Sequence, residues 1–305
     1  MSGKLNNLYK TVRKTNIIKN ILEWVRKRIL IFIPDKLYLK LLFRIKMNKK
    51  LNLKDPKTFN EKLQWLKLYN KNPKYTMMAD KYKVRDYVKN IIGEEYLIPL
   101  LGVYDSFDDI DFSKLPNQFV IKCNHDSGSV VICKDKNNFD IKKAEKKISK
   151  ALKTNYFYKG REWQYKNIER KIIIEKYIGE LADSEVLDYK LFVFNEKFAY
   201  SFVCSDRFSD LKFTFFDKNN KLIKVKQGGS NYDPKIKLPK TYDNMIELAE
   251  KLSKDTIVLR VDFYEVNGKI YFGELTFFDA SGFDSFEPDY YDKIFGDMIK
   301  LPDKK

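Results

Sequence analysis

The stretch TIVLRVDFYEVNGKIYFGELTFF, residues 256–278, decides how this chain is read. Ile257, Leu259, Val261 and Phe263 alternate with Val258, Arg260, Asp262 and Tyr264, the period of two that gives a β-strand one apolar and one polar face. Tyr271, Gly273, Leu275 and Phe277 alternate in the same way with Phe272, Glu274 and Thr276. Between the two runs, Asn267-Gly268 marks a hairpin turn. An odd loop centred on Gly268 sets Arg260 against Thr276 and Asp262 against Glu274, all four on one side of the sheet. A simple two-residue turn sends the two carboxylates to opposite sides, because a one-residue slip exchanges faces. Carboxylates directly opposed repel unless a cation lies between them. Two carboxylates with room for water and phosphate oxygens suit Mg²⁺, and an arginine on the same face suits phosphate. A solvent-facing strand pair with alternating charge is the plainer alternative.

A second polar segment lies upstream, FVIKCNHDSGSVVICKD, residues 119–135. Two β-branched runs flank a loop from Asn124 to Ser129, which reads as strand, turn, strand. Ser127, Gly128 and Ser129 let backbone N–H groups approach an anion, and Lys122 on the preceding strand can act as a point charge on phosphate. The spacing is not that of a Walker A loop, and many Gly-Ser hairpins are only hairpins. ADKYKVRDYVKNII, residues 79–92, predicts a helix. Cys123, Cys133 and Cys204 have no CxxC spacing and His125 is the only histidine, which argues against structural zinc and for a reducing, cytoplasmic setting.

With 305 residues, 44% hydrophobic and 33% charged, the chain can bury a sizeable core, which excludes collagen, disordered tails and small disulfide scaffolds. The net charge of +17 is unevenly placed: 20 basic and 4 acidic residues precede Tyr75, against 39 and 38 after it. Ile18, Ile21, Leu22, Val25, Ile29 and Phe32 recur at helical steps opposite Lys14, Lys19, Glu23, Arg26 and Lys27, an amphipathic helix ending at Pro34. A second helix is expected over 37–47, and a third from Thr58, where Glu61 completes a capping box. The longest apolar run near the N-terminus, residues 29–33, is far short of the roughly 20 residues that span a bilayer. No signal-peptide pattern is present. Basic amphipathic helices of this kind lie on anionic membranes, an expectation of peripheral contact through residues 1–50 at the inner face of the cytoplasmic membrane. Packing of the same stripe on the body is the alternative. No nucleic-acid motif accompanies the basic face.

DPKTFNEKLQWLKLYN, ADKYKVRDYV, EEYLIPLLGVYDSFDDIDF, FVIKCNHDSGS, GREWQYKNIERKIIIEKYI, DYKLFVFN and LRVDFYEVNGKIYFGELTFFDASGF follow one another between residues 55 and 283. In this order they resemble the TupA-like ATP-grasp family of bacterial surface-polysaccharide loci, with the likeness extending to about Leu301. The resemblance implies an α/β (α+β) ATP-grasp fold, two subdomains clamping ATP, with a helical basic N-terminal extension. It divides the chain into a helical region 1–75, a small subdomain 76–178 with the Gly-Ser loop and a large subdomain 179–305 with the hairpin.

Residue roles implied by the resemblance follow position by position. Lys81, Lys122 and Arg260 would contact phosphates beneath the loop of Ser127, Gly128 and Ser129. Glu175, Lys176, Tyr177 and Ile178 would form the hinge that reads adenine, and Asp188 would bind ribose. Asp262 and Glu274 would hold Mg²⁺, with Thr276 where many such enzymes carry a metal-binding Asn. The implied activity is an ATP-dependent carboxylate–amine ligase working through an acyl-phosphate. Its substrates would be a uronic-acid-containing glycan or sugar nucleotide and a small amine or amino acid. His125 is a candidate base toward the amine, and Arg161, Trp163 and Arg207 are candidate acceptor contacts. The competing readings are a glycosyltransferase using Asp109-Ile110-Asp111 as a metal pair, an ATP-dependent glycan kinase, and a noncatalytic membrane adaptor, which would not need the shared polar face of the hairpin.

Overall fold

The structure, a computed structural model, describes residues 32–182, 185–206 and 209–303. The chain divides into two compact units, residues 1–51 and 52–305. In the first, helix α1 (Asp35–Met47) starts behind Pro34 and stops at Asn48, whose φ of 53° is left-handed, a conformation Asn tolerates at a helix end. α1 buries Tyr38, Leu39 and Phe43 and exposes Leu37, Leu41 and Ile45. The amphipathic helix expected upstream lies, up to Ile29, outside the described residues.

The second unit opens with α2 (Phe59–Tyr69), which carries the expected capping box. The Glu61 N–H donates to Thr58 Oγ1 at 3.3 Å and the Thr58 N–H donates to Glu61 Oε2 at 3.2 Å. Of the helix expected over 79–92 the structure forms α4 (Val84–Ile91), and a separate short helix, α3 (Lys74–Ala79), ends where it was to begin. Asp80 breaks them, because its carboxylate accepts the N–H groups of Tyr82 and Lys83 and closes a local turn. Next come β1 (Leu100–Tyr104), β2 (Phe119–Cys123), β3 (Val131–Cys133), α5 (Ile141–Leu152), the short α6 (Phe157–Gly160) and β4 (Ile172–Lys176). The four strands pair antiparallel in the order β1-β4-β2-β3. On β2 the alternation is strict: Phe119, Ile121 and Cys123 join Ala144 and Ile148 of α5 in a buried core, which turns Val120 and Lys122 to the other side.

The larger sheet is built from β5 (Asp188–Phe194), β6 (Lys197–Ser205), β7 (Lys212–Asp217) and β8 (Leu222–Ile223), followed by β9 (Lys226–Gln227) and helix α7 (Tyr242–Leu252). β10 (Val258–Val266), β11 (Lys269–Thr276), β12 (Phe286–Glu287) and α8 (Tyr290–Asp297) complete the chain. Six strands run antiparallel in the order β11-β10-β5-β6-β7-β8, while β9 pairs with β12. One face carries Leu259, Val261, Phe263, Tyr189, Leu191 and Val193, all buried, as the alternation of residues 256–278 requires. Helix α7 lies against β5, β6 and β10 on this face, where the Tyr242 and Ser201 hydroxyls bond at 2.5 Å. The opposite face is split in two. Phe192, Phe194 and Tyr200 form an aromatic half that Phe59 of α2 and Phe295 of α8 cover, with the Tyr200 and Phe295 rings stacked at 4.0 Å. Asp188, Lys190, Asp262 and Glu274 form the polar half.

Register on that polar half comes from a β-bulge. Asn267 and Gly268 have φ of 51° and 82°, a two-residue turn with both central residues left-handed. Accordingly Val266 pairs with Lys269, and the pairing holds as far as Phe263 with Phe272. Gly273 is then extra, so that Asp262 meets Glu274 and Arg260 meets Thr276. The same-face arrangement is therefore present, but the odd loop that would have produced it is not. A side chain at Gly273 would bring a Cβ to 3.0 Å from the Asp262 carbonyl oxygen, which suits glycine to the extra position.

Helix α8 approaches the start of α2 so closely that a Cβ on Gly296 would lie 2.4 Å from the Lys57 carbonyl oxygen and 2.6 Å from the Phe59 nitrogen. Lys62 locks the contact by donating to the carbonyls of Gly296 and Ile299, each at 2.8 Å. Gly296→Ala is therefore expected to destabilise the protein by about 2 kcal/mol or more through overpacking against immovable backbone. Urea denaturation checks this, and an unchanged midpoint would show that α8 does not dock at this distance.

Candidate active site

Between the two sheets lies a cavity of about 1350 Å³. The large sheet contributes Asp188, Lys190, Asp262 and Glu274, and the small sheet contributes Val120, Lys122 and Glu175. Ser127, Gly128 and Ser129 form part of its wall, as do Lys176, Tyr177 and Ile178 after β4. Strand alternation explains the chemistry of each wall: the residues that do not pack on α5 or α7 are the ones that face inward.

At the centre, Asp262 and Glu274 stand opposite each other. Arg260 lies among them: Nε donates to Asp262 Oδ1 at 2.7 Å, and Nη2 reaches Asp262 Oδ2 at 2.7 Å, Glu274 Oε1 at 3.0 Å and Thr276 Oγ1 at 3.0 Å. Lys190, paired with Asp262 across β5 and β10, donates to Asp262 Oδ2 and lies 2.9 Å from Asp188 Oδ2. Lys81 Nζ stands 3.4 Å from Glu274 Oε2. Burial pushes the Glu274 carboxyl up, but Lys81, Arg260, Lys190 and Lys122 overcome it and hold the group well below the usual carboxylate range. For Lys190, burial and Arg260 act to lower the pKa, and Asp188 and Asp262 outweigh them, leaving the ammonium above its ordinary value.

Lys81 is aimed by its neighbours. Its N–H donates to the Asn124 carbonyl at 3.0 Å and its ammonium to the Asp126 carbonyl at 2.6 Å. The buried Asn124 amide in turn donates to Asp80 and to the Glu169 carbonyl, each at 2.9 Å. The break between α3 and α4 thus fastens Lys81 to the Gly-Ser loop. Within that loop the Ser129 hydroxyl donates to Asp126 Oδ1 at 2.5 Å and accepts the Cys123 N–H at 2.9 Å. Lys122 pairs with Glu175 at 2.6 Å, and Arg85 holds the other Glu175 oxygen at 3.1 Å. The Glu175 side chain therefore ties Lys122 and α4 to the strand that leads into Lys176, Tyr177 and Ile178.

Several candidates are placed differently from expectation. Arg260 does not line the cavity; it is buried behind the two carboxylates. His125 does not line it either. Its Nε2 lies 3.2 Å from both the Ala151 and Thr154 carbonyls, burial pushes the imidazole below its ordinary pKa, and the ring serves to anchor the loop to the end of α5. Arg161 is buried with its guanidinium 5.2 Å from the Phe157 ring centre, and Trp163 stacks on Tyr75 at 5.9 Å; neither reaches the cavity. Arg207 lies outside the described residues. Asp109 and Asp111 are used within their own turns, accepting from the N–H groups of Ser106 and Ser113. Asp188 lines the cavity paired with Lys190, the residue that sequence reasoning missed. The signal was present in DYKLFVFN, where Lys190 shares a strand face with Asp188.

The donor set fits magnesium. Three oxygens, from Asp262, Glu274 and Thr276, converge on one cationic atom, Arg260 Nη2. Two carboxylates and a hydroxyl leave open positions for substrate phosphate oxygens and water, the coordination Mg²⁺ favours.

Solved structures that resemble this one include D-alanine–D-alanine ligase from Bacillus anthracis, at 20% identity over 66% of this chain with a TM-score of 0.40. This chain covers 57% of that ligase. The same enzyme from Helicobacter pylori matches at 16% identity, over 80% of this chain and 69% of that one, with a TM-score of 0.41. L-amino acid ligase from Bacillus licheniformis matches at 15% identity, over 73% and 49%, with a TM-score of 0.41. None of the curated proteins matches the chain. The family model of TupA-like ATPgrasp matches residues 61–300, a span that takes in both sheets and every residue of the carboxylate cluster. The chain has the ATP-grasp fold and belongs to the TupA-like ATP-grasp family.

Proposed function

We propose that this chain is an ATP-dependent carboxylate–amine ligase acting on a bacterial surface glycan or its sugar-nucleotide precursor, with a uronic acid as the carboxylate. One observation carries the catalytic part: Lys81, Lys122 and Lys190 share a single cavity with the opposed carboxylates Asp262 and Glu274 and with the Gly-Ser loop. The glycan part rests on the family.

A substrate carboxylate oxygen attacks the γ-phosphorus of ATP, the bond from that phosphorus to the β,γ-bridging oxygen breaks, and ADP departs. The amine then attacks the acyl carbon of the resulting acyl-phosphate, inorganic phosphate leaves with the C–O bond, and the amine gives up a proton. No protein nucleophile is needed. Lys81 and Lys122 are placed to neutralise phosphoryl charge, and the backbone N–H groups of the Gly-Ser loop add fixed dipoles. Asp262, Glu274 and Thr276 would hold Mg²⁺, which supplies further charge on the phosphoryl oxygens. The apolar side chains of Ile98, Val120 and Ile178 in the same cavity suit a nucleobase, and Glu175 keeps that end of the site fixed to Lys122.

For α1 we propose contact with an anionic bilayer. Leu37, Leu41 and Ile45 are 58%, 50% and 69% exposed and repeat every four residues, beside the parallel row of Lys36, Lys40 and Arg44. No helix among the described residues is long and apolar enough to cross a membrane, so the contact would be peripheral, an apolar stripe seated among headgroups and flanked by cations.

ATP with Mg²⁺ should raise the thermal midpoint of the protein, and EDTA should remove the shift. Asp262→Asn and Glu274→Gln should each abolish it, and ADP release should require both a carboxylate and an amine. A shift with UDP-sugars and none with ATP would overturn the ligase reading. Separately, Leu41→Asp with Ile45→Asp should lower co-sedimentation with phosphatidylglycerol vesicles several-fold; unchanged binding would retire the membrane contact.

A further inference from the structure

Arg260 has one acidic partner outside the cavity. Its Nη1 donates to Asp279 Oδ1, and the other Asp279 oxygen accepts from Gln227 Nε2 at 2.6 Å. Neither Asp279 nor Gln227 lines the cavity, and both are buried. Asp279 opens a turn in which Ala280, Ser281 and Gly282 have φ of 45°, 57° and 63°. Three successive left-handed residues, two of them with side chains, persist only where their surroundings over-determine them.

The surroundings here include two side chains of α2 and the buried Glu162, which hydrogen-bonds Ser281. Lys67 Nζ donates to the Ser281 carbonyl at 2.7 Å, the Ser281 hydroxyl at 2.9 Å and the Gly160 carbonyl at 2.8 Å. Gln64 Nε2 donates to the Gly282 carbonyl at 2.7 Å and the Ser281 carbonyl at 3.1 Å. Lys67 is 1% exposed and stands 4.8 Å from the Phe283 ring centre. A buried ammonium is costly unless its N–H groups find acceptors, and this one donates to the left-handed turn, to Gly160 and to Gln64 Oε1 at 3.2 Å, with the buried Glu162 carboxylate as a charge partner.

We propose that Asp279 is a positioning residue for Arg260, and that Lys67 and Gln64 keep Asp279 in place by fixing the turn that follows it. The remaining partners of Arg260, Asp262, Glu274 and Thr276, are the groups a nucleotide-bound cation would take. Asp279 is the acidic partner left to Arg260 when that happens, so it holds the guanidinium through Nη1 behind the carboxylates that take the cation. This consequence rests on the ATP-dependent reading; the geometry of the anchor does not.

The test titrates Mg²⁺ with AMP-PNP, and AMP alone, into the full chain and its variants. Asp279→Asn should weaken the triphosphate analogue by about tenfold or more, the loss of one charge-assisted contact, and leave AMP within about twofold. Lys67→Met should reproduce the selectivity, and Gln227→Ala should give a smaller loss of the same kind if the other variants fold poorly. Equal losses for both nucleotides, or none for either, would overturn the proposal. Failure of the unaltered chain to bind the triphosphate analogue would instead overturn the ATP-dependent reading. Crystal structures of the unaltered chain and Asp279→Asn then decide the anchor on its own terms: a displaced Arg260 guanidinium supports it and an unmoved one overturns it.

Discussion

Two carboxylates directly opposite each other on adjacent strands, Asp262 buried and Glu274 half-buried, are the constraint from which the rest of this site follows. Asp262 and Glu274 would repel at such a separation, and a low-dielectric setting makes an uncompensated charge more costly still. The protein answers with cations from every direction: Arg260 from the same strand, Lys190 from β5 and Lys81 from the break between α3 and α4. Each of these has its own second partner. Lys190 has Asp188, Lys81 has the Asp126 carbonyl, and Arg260 has Asp279. The cluster is therefore a network in which no charge depends on a single contact, and such networks respond to loss of one member by more than a pairwise estimate.

Much of this is legible in the amino-acid sequence. Strict alternation over residues 256–278 separates the apolar face from the polar one, the Thr58 capping box marks the start of α2, and the runs around the Gly-Ser loop give β2 and β3. The same-face placement of Asp262 and Glu274 was readable only as one of two registers, because sequence gives the turn and not the bulge. Gly273 was the clue: a glycine inside a strand pattern marks a bulge or a close backbone approach. The helix within 79–92 is present but begins only at Val84, because Asp80 is an ordinary helix residue until its carboxylate captures two N–H groups. His125, Arg161 and Trp163 carried suitable chemistry but sit where burial and ring packing use them. No local pattern distinguishes a loop histidine facing a cavity from one facing a helix end.

The polar half of the large sheet would be of little use without its aromatic half. Strands β5, β6 and β10 run continuously from one to the other, so the packing of Phe192, Phe194 and Tyr200 against Phe59 and Phe295 fixes the strands that carry Asp188, Lys190 and Asp262. Close-packed aromatic cores have few alternative arrangements, which limits how far a charged side chain on the same strand can drift. Helix α2 joins the two halves most directly. Its N-terminal residue Phe59 belongs to the aromatic cluster, while Gln64 and Lys67, one and two turns on, reach the left-handed turn behind Arg260. A single helix thus couples the register of the hydrophobic core to the aim of the central guanidinium. The Lys67 cation is tolerated at full burial there because the turn, Gly160 and Gln64 accept its N–H groups and the buried Glu162 carboxylate balances its charge.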